Sequence, residues 1–367
     1  MSETTGLGFL KRVVFGFAAL SAACAAPTTP APVVDAPSET QAPSPAEPAL
    51  PASPPAEAAA PVAPTPACEA TSPRPGKVEV VVTPDDGDAR VVALLAGAKA
   101  SIAVTIYQLS SRNVVAALVA AAQRGVKVRV IQDWREANEA TLTTLRDAGV
   151  TVQTSSRAFR YTHQKTVLVD ARTVFVFSGN LDRSSFTSGR NFGVVLDDPE
   201  DAADFAELFE ADWAGRSPSL ACTRLVVSPV NARARVLALI DGAKTTLDVE
   251  AMYVTDGPVT NAILAAKGRG VVVRVLLNDP SHDLGDSSWA VGRFSGAGIA
   301  TKRSGALFVH AKLLVVDGVH AFVGSENFSD NSLDSNREAG LVVSSPSANL
   351  ARITSTFERD WTQGASF

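Results

Sequence analysis

Beyond residue 76 the chain alternates between two apolar spacings. Short β-branched runs fall at 78–82, 101–107 and 126–131 and predict strands. Between them, over 88–98 and 114–123, apolar residues return every third or fourth position, which predicts helices. The same order then recurs, with helices over 233–243 and 259–267 and strands over 246–252 and 271–276. Gly97-Ala98-Lys99 returns as Gly242-Ala243-Lys244, and Arg124-Gly125-Val126 as Arg269-Gly270-Val271, both 145 residues on. Each half continues with a helix (138–148, 287–297) and a short strand (150–154, 299–301), and later closes on a helix ending in Trp213 or Trp361. The body is therefore a duplication. Strand–helix alternation gives each copy an α/β class with a mixed, largely parallel sheet flanked by helices.

The first 75 residues follow neither spacing. Lys11 and Arg12 precede an apolar run, 13–23, too short to span a bilayer, so 1–24 reads as an export signal. Leu20-Ser21-Ala22-Ala23-Cys24 resembles a lipoprotein cleavage box, with a small Ser21 where a larger aliphatic is usual. Two outcomes stay open: lipidation at Cys24, or simple cleavage near Ala23 or Ala25. Residues 25–75 hold most of the Ala/Pro/Thr/Ser/Glu-rich stretch, with 15 of the 22 prolines, and predict a disordered tether. Of the net charge of −5, only about −2 belongs to the region after residue 75, which counts mildly against a large polyanionic partner. Cys68 and Cys222 stand shortly before β-type runs at corresponding points of the two halves. In an oxidising compartment they can pair; two separate thiols are the alternative.

The chemistry sits on two strings of the same pattern. His310, Lys312, Asp317, Ser325 and Asn327 recur 147 residues earlier as His163, Lys165, Asp170, Ser178 and Asn180. Side chains at i and i+2 of a strand leave the same face, so each His points with its Lys, and each Ser with its Asn. A hairpin then converges all four at one end of a sheet. Lysines and amides suit phosphate oxygens, and two imidazoles provide a nucleophile and a general acid. The chain has four His (His163, His282, His310 and His320), and no Cys or carboxylate stands at metal-ligand spacing from the motif pair. No cofactor is called for. His282 and His320 read as a solvated loop and a hairpin turn; Phe159, Tyr161 and Phe308 read as packing, with an entrance role as the alternative, and Trp289 as packing, with contact to a lipid surface as the alternative.

This duplicated H-x-K-x4-D string followed by G-S-x-N resembles the phospholipase D superfamily, over essentially the whole body. The resemblance implies two tandem phospholipase D-like α/β domains, 76–217 and 218–367, related by pseudo-twofold symmetry around one site. It also implies metal-independent phosphodiester cleavage through a phosphohistidine, released by water or an alcohol. On this sequence His163 and His310 become the nucleophile and acid, while Lys165, Lys312, Asn180 and Asn327 hold phosphate and Ser178 and Ser325 line the site. Asp170 and Asp317 complete the catalytic motif, chiefly as braces. Glu338 matches the family's carboxylate that fixes an imidazole, but the first copy has Asn191 at that place and Phe177 where the second has Gly324. By that count His310 is the better-supported imidazole and His163 the weaker base, unless Asp182, Asp197 or Asp198 stands in.

The function expected is that of an exported phosphodiesterase acting on phospholipid head groups at a membrane surface, as a monomer that is periplasmic, membrane-anchored or secreted. A nuclease of the same superfamily and a phosphate-binding protein without turnover are the alternatives.

Overall fold

The computed structural model describes residues 68–367, apart from 283–284, 306 and 345–347. The expected signal, Cys24 and most of the tether lie outside the described residues. The first half runs β1 (Lys77–Thr83), α1 (Ala89–Gly97), β2 (Ser101–Ile106), α2 (Arg112–Gln123), β3 (Lys127–Gln132) and α3 (Glu139–Asp147). It continues with β4 (Thr151–Thr154), β5 (Lys165–Val169), β6 (Thr173–Phe177), α4 (Arg183–Thr187), β7 (Gly189–Asp197) and α5 (Pro199–Ala214). The second half repeats this as β8 (Val226–Ser228), α6 (Ala232–Gly242), β9 (Thr246–Ala251), α7 (Gly257–Gly268), β10 (Val272–Leu277), α8 (Ser288–Gly296) and β11 (Ala300–Arg303). It adds β12 (Phe308–Val309), then β13 (Lys312–Val316), β14 (His320–Gly324), α9 (Asp330–Asp334), β15 (Glu338–Ser344), α10 (Ala348–Gln363) and β16 (Ala365–Ser366).

The helices start where capping chemistry allows. Ser111 accepts from Val114 N at the head of α2, and Asn138 from Thr141 N at α3. Asp198 precedes Pro199 and accepts from two amides of α5. The sheets run β1-β7-β6-β5-β2-β3-β4 and β16-β11-β10-β9-β13-β14-β15-β8. In the first, β2, β3 and β4 pair in parallel and the other strands of that order pair antiparallel.

Strand parity sorts the core into three layers. On β13, Leu314 and Val316 pack with the second half's helices, while Leu313 and Val315 face the other way. There they meet Val174, Val176, Val194 and Leu196 of the first sheet. The two sheets thus pack face to face, with helices outside each: two mixed α/β halves sharing a middle core. Burial on both faces explains why these strands read as continuous apolar runs.

The tether ends earlier than its composition predicts. Cys68 is bonded to Cys222, with their Cα atoms 4.9 Å apart. Arg74 is buried, bonded to Asp201 at 2.5 Å and to Val342 O at 2.6 Å, so the last residues assigned to a loose linker join both halves.

Two strands escaped the pattern reading, β7 and β15. Both are buried and interrupted by polar and glycine residues at their starts, where the site is built. Each begins by touching the opposite half. Phe308–Val309 pairs in parallel with Gly189–Arg190, and Thr162 bridges in parallel to Arg337. Buried ion pairs fix both crossings: Arg190 with Asp360 of α10, and Arg337 with Asp212 of α5. Paired guanidinium and carboxylate groups at such depth hold a register more than they add stability.

Candidate active site

The crossed strands decide which group supports which imidazole. His163 N donates to Arg337 O and His310 N to Arg190 O, so each motif His lies beside the neighbour of the other half's support residue. His163 Nδ1–H donates to Glu338 Oε2 at 2.8 Å. His310 Nδ1–H donates to Asn191 Oδ1 at 3.1 Å. The expectation that Glu338 makes His310 the better-supported imidazole is therefore overturned: the carboxylate of the second copy serves the His of the first. Asp182, Asp197 and Asp198 do not stand in, being engaged with Ser185 N, Arg172 and Arg224 respectively.

Local donors explain why one half carries Glu and the other Asn. Glu338 Oε1 receives Ser332 Oγ at 2.5 Å and Asn336 Nδ2 at 2.9 Å, so the second half offers only donors. The corresponding place in the first half offers acceptors. Asn191 Nδ2 donates to Ser185 O at 3.0 Å, Thr83 Oγ1 at 3.2 Å and Gly189 O at 3.3 Å. A carboxylate there would face two carbonyl oxygens and a Thr83 hydroxyl whose proton is already given to them. An amide, with one end for each need, is the residue that fits.

Both lysines are 1% exposed and lie beside the imidazoles. Lys312 Nζ is 2.7 Å from His310 O and 3.1 and 3.3 Å from the ring nitrogens of His310. Lys165 Nζ donates to His163 O. Burial lowers all four bases. It brings His163 to about 4 against the pull of Glu338, and Lys165 to about 7. Burial and then the Lys312 charge hold His310 well below its ordinary value, and burial and then the Lys165 charge do the same to Lys312. A bound anion would reverse the sign of this field.

Asn180 Nδ2 donates to Gln108 Oε1 at 2.7 Å, while Asn180 Oδ1 and Asn327 Oδ1 are buried without a hydrogen-bond partner among the described residues. Unpaired polar atoms at such depth are costly and concentrate where a ligand completes them. A cavity of about 210 Å³ opens here, lined by Gln108, Asn180, Met252, Phe308 and His310 among others. On the His163 side the Tyr107 ring stands 4.7 Å from the imidazole, edge to face.

Four predicted site residues do not join the pocket. Ser178 and Ser325 are fully buried; their hydroxyls accept from Phe192 N and Ala339 N at 3.1 Å each. They pin β6 and β14 to the next strand, and Ser178 touches the centre from behind, its hydroxyl donating to Asn191 Oδ1 at 3.2 Å and its carbonyl accepting from Lys312 Nζ at 3.3 Å. Asp170 and Asp317 sit at the far hairpin turns with φ of 54° and 53°. Asp170 gathers the amides of Lys99, Ala100 and Ser101; Asp317 gathers those of Lys244, Thr245 and Thr246. Three backbone donors on an exposed carboxylate brace a turn, and they do no chemistry at the His pair.

Sequence reasoning also passed over Glu326, the variable position of the Gly-Ser-x-Asn string. It is fully buried, and both carboxyl oxygens lack a hydrogen-bond partner among the described residues. Burial first, then the charge of Glu338, holds its pKa well above the ordinary carboxylate range. The only signal was its place in the motif.

A family model described as "Cardiolipin synthase, PLD-like domain" matches residues 91–213 and again 236–361. The mitochondrial cardiolipin hydrolase of Chlamydomonas reinhardtii is 29% identical over 129 residues, 35% of this chain and 56% of that protein. The chain thus spans about half the length of the curated relatives it first matches. Among solved structures, the phosphatidylserine synthase of Haemophilus influenzae superposes with a TM-score of 0.61 at 14% identity, over 79% of this chain and 87% of that one. The polyphosphate kinase of Porphyromonas gingivalis gives 0.63 at 18% identity, over 78% and 47%. These two likenesses speak to the fold. The family match covers both halves and most of the chain, and it falls on the repeat that carries the two His-Lys pairs: the chain belongs to the phospholipase D-like domain family.

Proposed function

We propose that the protein is a phosphodiesterase or phosphatidyl-transferring enzyme that acts on phospholipid head groups through a phosphohistidine on His163. The observation that carries this reading is the crossed pairing of His163 with Glu338 and His310 with Asn191. A carboxylate on Nδ1 leaves the His163 Nε2 lone pair free and stabilises the positive charge that Nε2 acquires on bonding to phosphorus. His310 has a neutral amide on Nδ1 and Lys312 over its ring, so once protonated it gives its proton up readily.

The step balances without further groups. His163 Nε2 attacks phosphorus, the bond to the leaving oxygen breaks, and that oxygen takes the proton from His310 Nε2. Water or an alcohol then attacks phosphorus and loses its proton to His310, and the P–N bond breaks to return His163. Lys165 and Lys312 hold the non-bridging oxygens.

The lipid class is favoured by the description of the matching family and by the near-neutral body. Export on a tether is favoured by residues 1–24 and by the Cys68–Cys222 bond, which belongs to an oxidising compartment. Incubation with phosphatidylcholine or phosphatidylglycerol vesicles, and separately with single- and double-stranded DNA, tests the class. Head-group release with no DNA cleavage supports it; the reverse sinks it. Rapid quenching should place the covalent phosphorus on His163.

A further inference from the structure

One lip of the site carries arginines with no carboxylate to answer them. Arg135, Arg157 and Arg160 are exposed, and none makes an ion pair among the described residues. They do not extend freely into water. The Arg135 guanidinium lies 4.8 Å from the Trp134 ring centre and 4.7 Å from that of Tyr161. Arg157 covers Trp134 at 4.6 Å, and Arg160 lies 5.9 Å from Tyr161 with one N–H on Asn331 Oδ1 at 2.9 Å.

This wall is continuous with the catalytic centre. Tyr161 meets Tyr107 edge to face at 5.8 Å, and Tyr107 meets His163 at 4.7 Å. The carboxylates of the same loop are already engaged. Asp133 receives Thr162 N and Arg135 N, at 2.6 and 2.8 Å. Glu136 receives Gln108 Nε2 at 2.7 Å and the Tyr107 hydroxyl at 3.2 Å. The corresponding loop of the second half differs: Asp279 there faces Arg303, and Asp286 is exposed. Among the described residues the positive wall therefore belongs to one lip.

We propose that Trp134, Arg135, Arg157, Arg160 and Tyr161 form a second anion subsite, which takes the non-scissile phosphate of an anionic phospholipid lying beside the substrate in the same surface. This deepens the reading of the site as a lipid phosphodiesterase and rests on it. A guanidinium held flat on an aromatic ring is pre-oriented, and its N–H edge stays free for two phosphate oxygens. The aromatic faces are covered by guanidinium groups, so they are closed to base stacking, and a single patch gives no basic track for a polymer. Trp289, 52% exposed at the head of α8 with Arg293 over its ring at 5.2 Å, gives the second half an amphipathic contact for the same surface.

The test uses the full chain and its R135A/R157A/R160A variant, with thermal melting to show that both are folded. Co-sedimentation is measured on phosphatidylcholine vesicles with and without phosphatidic acid, whose monoester offers no head group to release. Phosphatidic acid should tighten binding of the parent protein, and the variant should lose ~100-fold of that affinity, as expected of three arginines at an anionic surface. Turnover of soluble bis(p-nitrophenyl) phosphate should be the same in both. Equal vesicle response in parent and variant, with the soluble diester still cleaved, removes the subsite alone. A protein that cleaves no diester but shows the vesicle response removes the catalytic reading and leaves the subsite. Release of the parent from phosphatidic acid vesicles by a single-stranded oligonucleotide, with no such effect on the variant, overturns the lipid assignment. So does a variant defect confined to soluble lipids that carry two phosphates in one molecule.

Discussion

The two halves fold alike and are charged differently. The second half brings both buried carboxyl groups of the centre, Glu338 and Glu326; the first has Asn191 and Gly179 at the matching places. Taken half by half, the first copy is worn. Across the crossing it is not, because Glu338 reaches His163 and Asn191 reaches His310. The lesson is that a duplicated site is inherited by strands and used by faces. On the proposed mechanism, loss of charge in one copy specialises the imidazole of the other, and divides the labour of nucleophile and acid between two residues that the motif presents as equals.

The sharpest way to break this comparison is to neutralise one support at a time. Glu338→Gln keeps the shape and the acceptor for His163, but turns its NH2 toward Asn336 Nδ2 and removes the charge that a phosphoryl-imidazolium needs, and kcat should fall by ~10³- to 10⁴-fold. Asn191→Ala removes only a neutral acceptor from the acid, so kcat should fall by roughly tenfold. Equal losses in steady-state assays would mean that the two imidazoles share one role. Asn191→Asp should not rescue anything. Its second oxygen would meet Ser185 O, Thr83 Oγ1 and Gly189 O, and the protein should be less stable by about 1–3 kcal/mol in denaturant titration.

How far the sequence could reach follows from the same strands. Repeat, fold class and the residues His163, Lys165, His310 and Lys312 were legible, because apolar periodicity and i, i+2 parity act locally. β7 and β15 were not, since Gly189-Arg190-Asn191 and Asn336-Arg337-Glu338 carry polar groups that are completed by partners in the other half, Asp360 for Arg190 and Asp212 for Arg337. The crossing is a tertiary fact, so eleven-residue counting assigned Glu338 to the wrong imidazole. Ser178 and Ser325 share a parity with the amides but spend their hydroxyls on the neighbouring strand, which the pattern cannot show.

Next in size is a proton count. With His163 near 4 and Lys165 near 7, the centre is short of protons at neutral pH. A doubly charged anion such as sulfate should restore them, so binding at pH 7–8 should take up ~1 proton, read by calorimetry in buffers of different ionisation enthalpy. The sign for stability follows. The unfolded chain protonates His163 near 6.5 and the folded chain near 4, so this contribution is intact above 6.5 and is lost as pH falls across that window. Zero uptake would place both lysines fully charged before the ligand arrives.

The hairpin aspartates should separate stability from chemistry in both halves alike. Asp317→Ala leaves three amides at a turn of positive φ without their acceptor and should lower stability by about 1–3 kcal/mol, while kcat on the remaining folded enzyme stays within about twofold. Asp170→Ala should do the same. A large loss of kcat at unchanged stability would return these residues to the catalytic set.

The smallest effect on activity should come from Glu326, and it tests what fills the two halves. An added methyl at Gly193 would meet the Phe177 ring at 2.9 Å, and one at the matching Gly340 would meet Glu326 Oε2 at the same distance. The Phe177 ring and the Glu326 carboxyl thus occupy the same space, reached from positions two residues apart. A carboxyl in that space with no hydrogen-bond partner among the described residues acts as filler. Glu326→Gln should leave kcat within about twofold and stability within ~1 kcal/mol. Gly324→Phe alone drives a ring into the Glu326 carboxyl and should cost about 3 kcal/mol or more, whereas Gly324→Phe with Glu326→Gly reproduces the first half's packing and should recover most of it. If the double variant is folded but inactive, Glu326 holds charge for Lys165 after all, and the second half supplies two working carboxylates instead of one.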